Sequence, residues 1–293
     1  MKPITLFLMT RKGYSVLNDS LEEFGHLFEE VVVARDINVA NDCYDEISAL
    51  CKKVGLKCID RSLYQSVRTQ YALAISWRWL INDLPADRLI ILHDSLLPRY
   101  RGFNPLVSCL INGEPLVGVS ALFGAANYDR GDIIAQSSTP IRYPIKIETA
   151  IDLVTKNYLT LARHIFSLIN QEKAISGTPQ EEANASISLW RDDADYHVPW
   201  DRSADWIARF VDAVGFPYKG AVTLVNGVRA RIIETKPLPD IAIENRTSGK
   251  VVWMDGPHPI VVCGQGLLKV LTLLDDSNGQ SMLPLQQFRT RFT

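Results

Sequence analysis

The chain has 293 residues, 47% apolar and 22% charged, with a formal net charge of −2. That length holds one large domain or two modest ones, each able to bury a core, and at that charge no electrostatic footprint for nucleic acid shows globally. No apolar run approaches the roughly twenty residues of a membrane-spanning helix. The opening MKPITLFLM lacks a cleavage region and reads as a first strand rather than a secretory leader. Five cysteines, Cys43, Cys51, Cys58, Cys109 and Cys263, are odd in number and form no CxxC pair. They argue against a disulfide framework or a structural zinc site and for a reducing, cytoplasmic setting.

In chain order, the short runs ITLFLM (4–9), EEVVVA (29–34), YALAISW (71–77) and RLIILH (88–93) are rich in β-branched residues, with helical spacing over 15–28 and 44–54 between them. Continuous rather than alternating hydrophobicity predicts strands covered on both faces. Strand–helix alternation at these lengths predicts a parallel α/β sheet. The first loop, MTRKGY (9–14), lacks the GxGxxG dinucleotide fingerprint. Two more β-type segments, GVSALFGA (118–125) and IIAQSSTPI (133–141), flank the loop NYDRGD (127–132).

Residues 147–168 place Ile147, Ile151, Val154, Tyr158, Leu161, Ile165 and Leu168 at steps of three and four, which predicts a long amphipathic helix. The polar QEKAISGTPQEEANAS (171–186) follows and reads as a linker. The expected boundaries are a first domain over 1–172, a linker over 173–188 and a second domain over 189–293. In that second domain Ser203 can cap a helix whose inner face is Trp206, Ile207, Phe210, Val211 and Val214. VTLVNGVRARII (222–233) then sets Asn-Gly between two β-type runs, a strong hairpin signal. Three further strand-like runs separated by Gly and Pro predict a small all-β barrel behind that helix.

Chemistry concentrates at LIILHDSLLPRYRG (89–102), where an apolar run ends on His93 and a polar loop follows. Ligands of open parallel sheets bind beyond the carboxyl ends of the strands, so His93 falls where a site is expected. Asp129, in the NYDRGD loop, is placed to join it as a proton-handling pair. A histidine at a strand end and an aspartate in a turn each also have a purely structural reading.

HDSLLPRYRGFNPL, LINGEPLVGVSALF and YDRGDIIAQ resemble the hallmark blocks of the folate-dependent formyltransferases, a family that includes methionyl-tRNA, glycinamide ribonucleotide and nucleotide-sugar N-formyltransferases. WRDDADYHVPWDRSADWIARFVDAVGFPYKGAVT and the later GKVV, PIVVCGQGLLKV and LPLQQF resemble the C-terminal domain of its methionyl-tRNA and aminoarabinose branches. The resemblance implies an α/β, Rossmann-like domain with a mostly parallel sheet, followed by an OB-like barrel. It implies 10-formyltetrahydrofolate as cosubstrate, no metal, a primary-amine acceptor and a homodimer. Protonated His93 would hold the oxyanion of the tetrahedral intermediate, and Asp129 would support His93 and assist proton movement. The pterin would meet main chain at Trp79, Leu80 and Ile81 and at Asn127, Tyr128 and Asp129. Trp77 is expected in the core, and Arg78 in solvent.

One position departs from the pattern. The family's asparagine two residues before the histidine is Ile91 here, which offers no donor. Three readings stay open: an amide from Asn104 or Asn127 substitutes, turnover is slow and relies on His93, or catalysis is lost and binding kept. For the acceptor, the slight acidity and a linker with more Glu than Lys favour a small amine on a nucleotide-linked sugar over tRNA, which demands phosphate contacts. Arg11, Lys12, Ser95 and Arg99 are the candidate acceptor ligands, while Arg101, Asn112 and Glu114 read as loop-building. Methionyl-tRNA formyl transfer, a folate- or sugar-binding module without turnover, and hydrolysis of the formyl-folate by water are the competing activities.

Overall fold

The structure, a computed structural model, describes residues 3–293, so Met1 and Lys2 of the expected first strand lie outside the described residues. The chain forms two compact units. The first gathers the chain up to Leu106 with Leu116–Ile141 and Ala150–Leu189; the second gathers Val107–Pro115, Arg142–Thr149 and Trp190–Thr293.

Residues 3–189 run β1 (Ile4–Leu8), α1 (Thr10–Phe24), β2 (Phe28–Val33), α2 (Tyr44–Val54), β3 (Lys57–Asp60), β4 (Tyr71–Ile75), β5 (Leu89–His93), β6 (Arg101–Gly102), α3 (Pro105–Ile111), β7 (Leu116–Phe123), β8 (Ile133–Pro140), α4 (Ile147–Asn170) and β9 (Ile187–Ser188), of which α3 from Val107 on and α4 up to Thr149 belong to the second unit. Seven strands form one sheet in the order β3-β2-β1-β4-β5-β7-β8. The first five are parallel, and β7 returns antiparallel to β5. The four mostly apolar runs became β1, β2, β4 and β5, and every residue of β1 is buried, as a strand covered on both faces requires. The edge strand β3, KCID, begins on an exposed Lys57 and carried no such run. The order reverses between β1 and β4, and Thr10 and Ser76, the turn residues at these two strand ends, both take positive φ (61° and 55°) and join hydroxyls at 3.2 Å.

The long helix α4 lays fully buried Tyr158 and Phe166 into the core. The segment read as a linker is built onto the first unit: β9 pairs with β6, and Thr178 exchanges two 2.8 Å backbone hydrogen bonds with Ile133.

The second unit contains α5 (Ala204–Ala213), capped by Ser203 Oγ accepting from the Trp206 amide at 3.3 Å, and the strands β10 (Ala221–Val225), β11 (Val228–Leu238), β12 (Val251–Asp255), β13 (His258–Val262) and β14 (Leu267–Asp275). The strands form an antiparallel sheet in the order β10-β11-β14-β13-β12. Asn226 and Gly227 make the predicted hairpin turn, both at positive φ (49° and 89°). The last residues close this sheet. Leu224 and Thr293 exchange backbone hydrogen bonds of 2.7 and 2.9 Å at the β10 edge, while Phe292 donates to Gly249 (2.7 Å) and Val251 donates to Thr290 (3.1 Å) beside β12. Both edges are thereby tied by one strap, and the sheet becomes a small barrel without free edges there.

Candidate active site

His93 ends β5 and is 8% exposed. Side chains alternate along a strand, so Leu89, Ile91 and His93 share one face. The imidazole Nε2 lies 2.8 Å from the Tyr100 carbonyl oxygen, and Nδ1 lies 3.4 Å from Asp129 Oδ1. A carbonyl only accepts, so Nε2 carries the hydrogen and donates. The ring is gripped between a carbonyl on one side and a carboxylate on the other, an environment that complements a cationic imidazole.

Asp129 comes from an unexpected direction. Because β7 is antiparallel to β5, its last residue Phe123 sits opposite Ile90, whereas His93 pairs with Ser120. The loop after β7 therefore starts three residues short of the His93 end and runs back along the sheet to reach it. Asp129, 9% exposed and at φ 55°, accepts the Gly102 amide on Oδ2 at 2.8 Å. Its peptide carbonyl and that of Gly131 accept from the Gln180 side chain at 2.7 and 2.8 Å. Gly131 is obligatory, since an added Cβ would stand 1.9 Å from the Phe123 carbonyl oxygen.

The loop from Asp94 to Tyr100 is braced from beneath. Ser120 Oγ donates to the Ser95 carbonyl (2.7 Å) and accepts from the Leu97 amide (3.0 Å), and Gln136 donates to both Ser120 Oγ (2.7 Å) and the Leu97 carbonyl (2.9 Å). Beside this loop Lys12 pairs with Asp94, and fully buried Tyr158 donates to the Leu92 carbonyl at 3.1 Å. Burial, with Asp94 near, pushes the Tyr158 phenol well above its usual range, so it stays a neutral donor.

Ile91 is half-buried and packs with Trp77, Ile81 and Leu84 against Phe7, Ala72, Ala74 and Leu89. The family's amide position is thus part of an apolar wall. Trp77 is half-buried, its ring edge-on to Phe7 at 5.0 Å and Trp79 at 5.2 Å, and Arg61 stacks on Trp79 at 4.0 Å. Arg78 is exposed, as expected, and from there pairs with the buried carboxylate of Asp36. Trp79, Leu80, Ile81, Asn127 and Tyr128 make no main-chain hydrogen bond to other backbone among the described residues. Their amides and carbonyls are uncommitted to other backbone, as groups that would hold a pterin must be.

Of the other predicted residues, Lys12 is 8% exposed and committed to Asp94, and Ser95 is buried with its hydroxyl on the Arg99 carbonyl at 2.8 Å. Arg11 pairs with Asp152 at 2.9 Å on the surface. Arg99 lies over the Tyr100 ring at 5.0 Å and donates to its hydroxyl at 3.2 Å. Asn104, at φ 47°, follows Gly102 by two residues and makes no side-chain hydrogen bond among the described residues. Its neighbour Phe103 meets Tyr128 of the Asp129 loop, ring centroids 5.7 Å apart. Asn127 is exposed. Sequence reasoning missed Gln180, the Tyr100 carbonyl and the Gly102 amide; backbone groups leave no residue signature, and Gln180 sat in a polar stretch.

A mostly parallel sheet with an imidazole–carboxylate pair at a strand end, followed by a small antiparallel barrel, is the architecture of a formyl-transfer protein. The chain belongs to the formyltransferase family: the formyl transferase domain matches residues 66–158 and the formyl transferase C-terminal domain matches 192–291. It is 31% identical over 208 residues to the methionyl-tRNA formyltransferase of Moorella thermoacetica, a match spanning 71% of this chain and 65% of that protein, just under two thirds of the relative's length. In fold it is similar to WlaRD, a sugar 3N-formyl transferase solved in the presence of dTDP and 5-N-formyl-THF (18% identity, TM-score 0.64, 92% of this chain and 97% of that one). It is likewise similar to an N-formyltransferase from Helicobacter canadensis in complex with folinic acid and dTDP-3-aminofucose (14% identity, TM-score 0.69, 92% and 99%).

Proposed function

We propose that this protein moves a formyl group from 10-formyltetrahydrofolate to the primary amine of a nucleotide-linked aminosugar. The observation that carries this reading is the buried imidazole of His93 held between Asp129 and the Tyr100 carbonyl at the end of a sheet strand. When bound, the folate supplies an activated formyl carbon, and a nucleophilic amine adds to it. The residues of the chain hold the charges that addition creates. An imidazolium at His93 faces the developing oxyanion once its Nε2–H turns from Tyr100, and Asp129 keeps that cation paired. Asp129 also relays the proton that the attacking amine loses toward the folate nitrogen that leaves. Asn104 supplies the amide that Ile91 cannot, because its side chain is uncommitted and it follows the Gly102 that binds Asp129.

The acceptor is argued from charge. The guanidinium of Arg229 is spent on Asp276 and Asp193, that of Arg231 on Asp276, that of Arg246 on Asp240, and Lys269 on Asp255. These four paired cations add little to a track for tRNA phosphates, whose contacts dominate affinity, and a smaller anionic acceptor fits better. The Moorella relative favours the second reading, formyl transfer to methionyl-tRNA. Among the described residues no helix is long and apolar enough to cross a membrane; a cytoplasmic homodimer is what the cysteine usage and the family resemblance imply.

The test is a panel of nucleotide-linked aminosugars with 10-formyltetrahydrofolate, read by the mass gain of one formyl group and by tetrahydrofolate release. Parallel filter binding of tRNA at two salt concentrations separates the readings. Tight, steeply salt-sensitive tRNA retention with no formylated sugar would overturn the aminosugar reading.

A further inference from the structure

We infer that Gln180 is a positioning residue for Asp129, so that the stretch resembling a tether is part of the site. The inference rests on the functional reading above and adds to it a residue outside the family blocks.

A glutamine side chain has one carbonyl and two amide hydrogens. Here the carbonyl and both hydrogens are committed. The amide donates to the peptide carbonyls of Asp129 (2.7 Å) and Gly131 (2.8 Å). The carbonyl accepts Arg101 Nε (3.0 Å) and Nη2 (2.8 Å). The orientation of the amide is fixed chemically, since the reverse would set NH₂ against a guanidinium that has only donors. Arg101 is 3% exposed and also meets Glu182, whose carboxyl its hydrogen bonds hold below the usual range. The next residue, Gly102, gives its amide to the Asp129 carboxylate at 2.8 Å.

A ring of contacts results: carboxylate of Asp129 to the Gly102 amide, along the chain to the Arg101 side chain, to Gln180, and back to the Asp129 carbonyl. Both ends of one residue are gripped, the side chain that faces His93 and the peptide that sets its direction. Asp129 needs this, because φ 55° is a strained conformation for a non-glycine residue. Without the two donors of Gln180 the loop relaxes and the carboxylate drifts from the imidazole. A displacement of about 1 Å in such a group costs about a hundredfold in rate.

The decisive substitution is Gln180→Glu, with Gln180→Met beside it. Glutamate keeps an acceptor for Arg101, and so keeps the buried guanidinium paired, but turns oxygens toward two carbonyls. With 10-formyltetrahydrofolate and dTDP-3-aminofucose, or the best acceptor of the panel, both variants lower kcat by about ten- to a hundredfold. KM for the acceptor stays within about threefold, and thermal melting of Gln180→Glu stays near that of the parent. Hydrogen exchange read at Gly102 quickens by about tenfold in both, as its carboxylate partner is released. Parent-like kcat in Gln180→Glu, or parent-like protection of the Gly102 amide, overturns the inference. Should the parent transfer formyl to no acceptor, the functional reading falls, and the exchange measurement still decides the clamp.

Discussion

Replacing Asp129 by asparagine removes a charge and almost nothing else. Asparagine tolerates the left-handed backbone that residue 129 adopts. Its carbonyl can still accept the Gly102 amide, now at 2.8 Å from Oδ2, and its amide can face Nδ1 of a neutral His93. Folding should therefore survive. What disappears is the attraction between a carboxylate and an imidazolium 3.4 Å apart, roughly 5 kcal/mol at an effective dielectric constant of about 20. That is an upper bound, because the ground state keeps a neutral hydrogen bond. The share realised only as charge develops corresponds to about a hundred- to ten-thousandfold, the usual reach of a lost acid–base partner. The assay is tetrahydrofolate release at saturating formyl donor with an acceptor amine present, alongside a thermal melt. A variant that melts like the parent and turns over within about threefold of it would refute the role given to the pair.

Asn104→Gly keeps the positive φ at that position and should lower kcat by about a hundred- to a thousandfold if its amide holds the oxyanion. Ile91→Asn should then leave turnover unchanged, and a rise would instead mark Ile91 as a missing donor. The Cys51 thiol beside it draws Cys58 below the usual thiol range, while burial lifts Cys263 up to about 12. Peptide-mapped alkylation of Cys58 should thus reach half its maximal rate below the free-thiol value of about 8.5 and far below Cys263; a midpoint at or above that free-thiol value would contradict the pairing. Gly249→Ala puts a Cβ 2.0 Å from the Phe292 carbonyl oxygen at φ +81°. It should cost about 2–3 kcal/mol by melting, against about 1 for Gly256→Ala, where nothing lies within 4 Å of the added atom.

The parts that could be read in advance were those with a periodic or compositional signature. Buried parallel strands announce themselves as apolar runs, which is why β1, β2, β4 and β5 were visible and β3, half-exposed at the sheet edge, was not. His93 and Asp129 stood out by residue type and by their blocks. The geometry joining them did not, because the antiparallel return of β7 decides where the Asp129 loop starts, and a short strand carries no mark of its direction. Arg101 and Gln180 are 79 residues apart in the chain. A contact of that separation between polar loop residues leaves no pattern, and Gln180 sat among glutamates and small residues that look solvated. Arg78 is exposed as its sequence suggested, but its partner Asp36, 42 residues earlier, was illegible for the same reason.

The strap of residues 290–293 has a bearing on how the protein is made. Its main-chain bonds to the sheet reach back to residues synthesised much earlier, Leu224, Asn226, Gly249 and Val251. On the ribosome, β10 and β12 must wait with unsatisfied ladders until those four residues emerge. During that interval the nascent second unit presents two sticky margins to its neighbours. Removing residues 290–293 would make that vulnerable interval permanent.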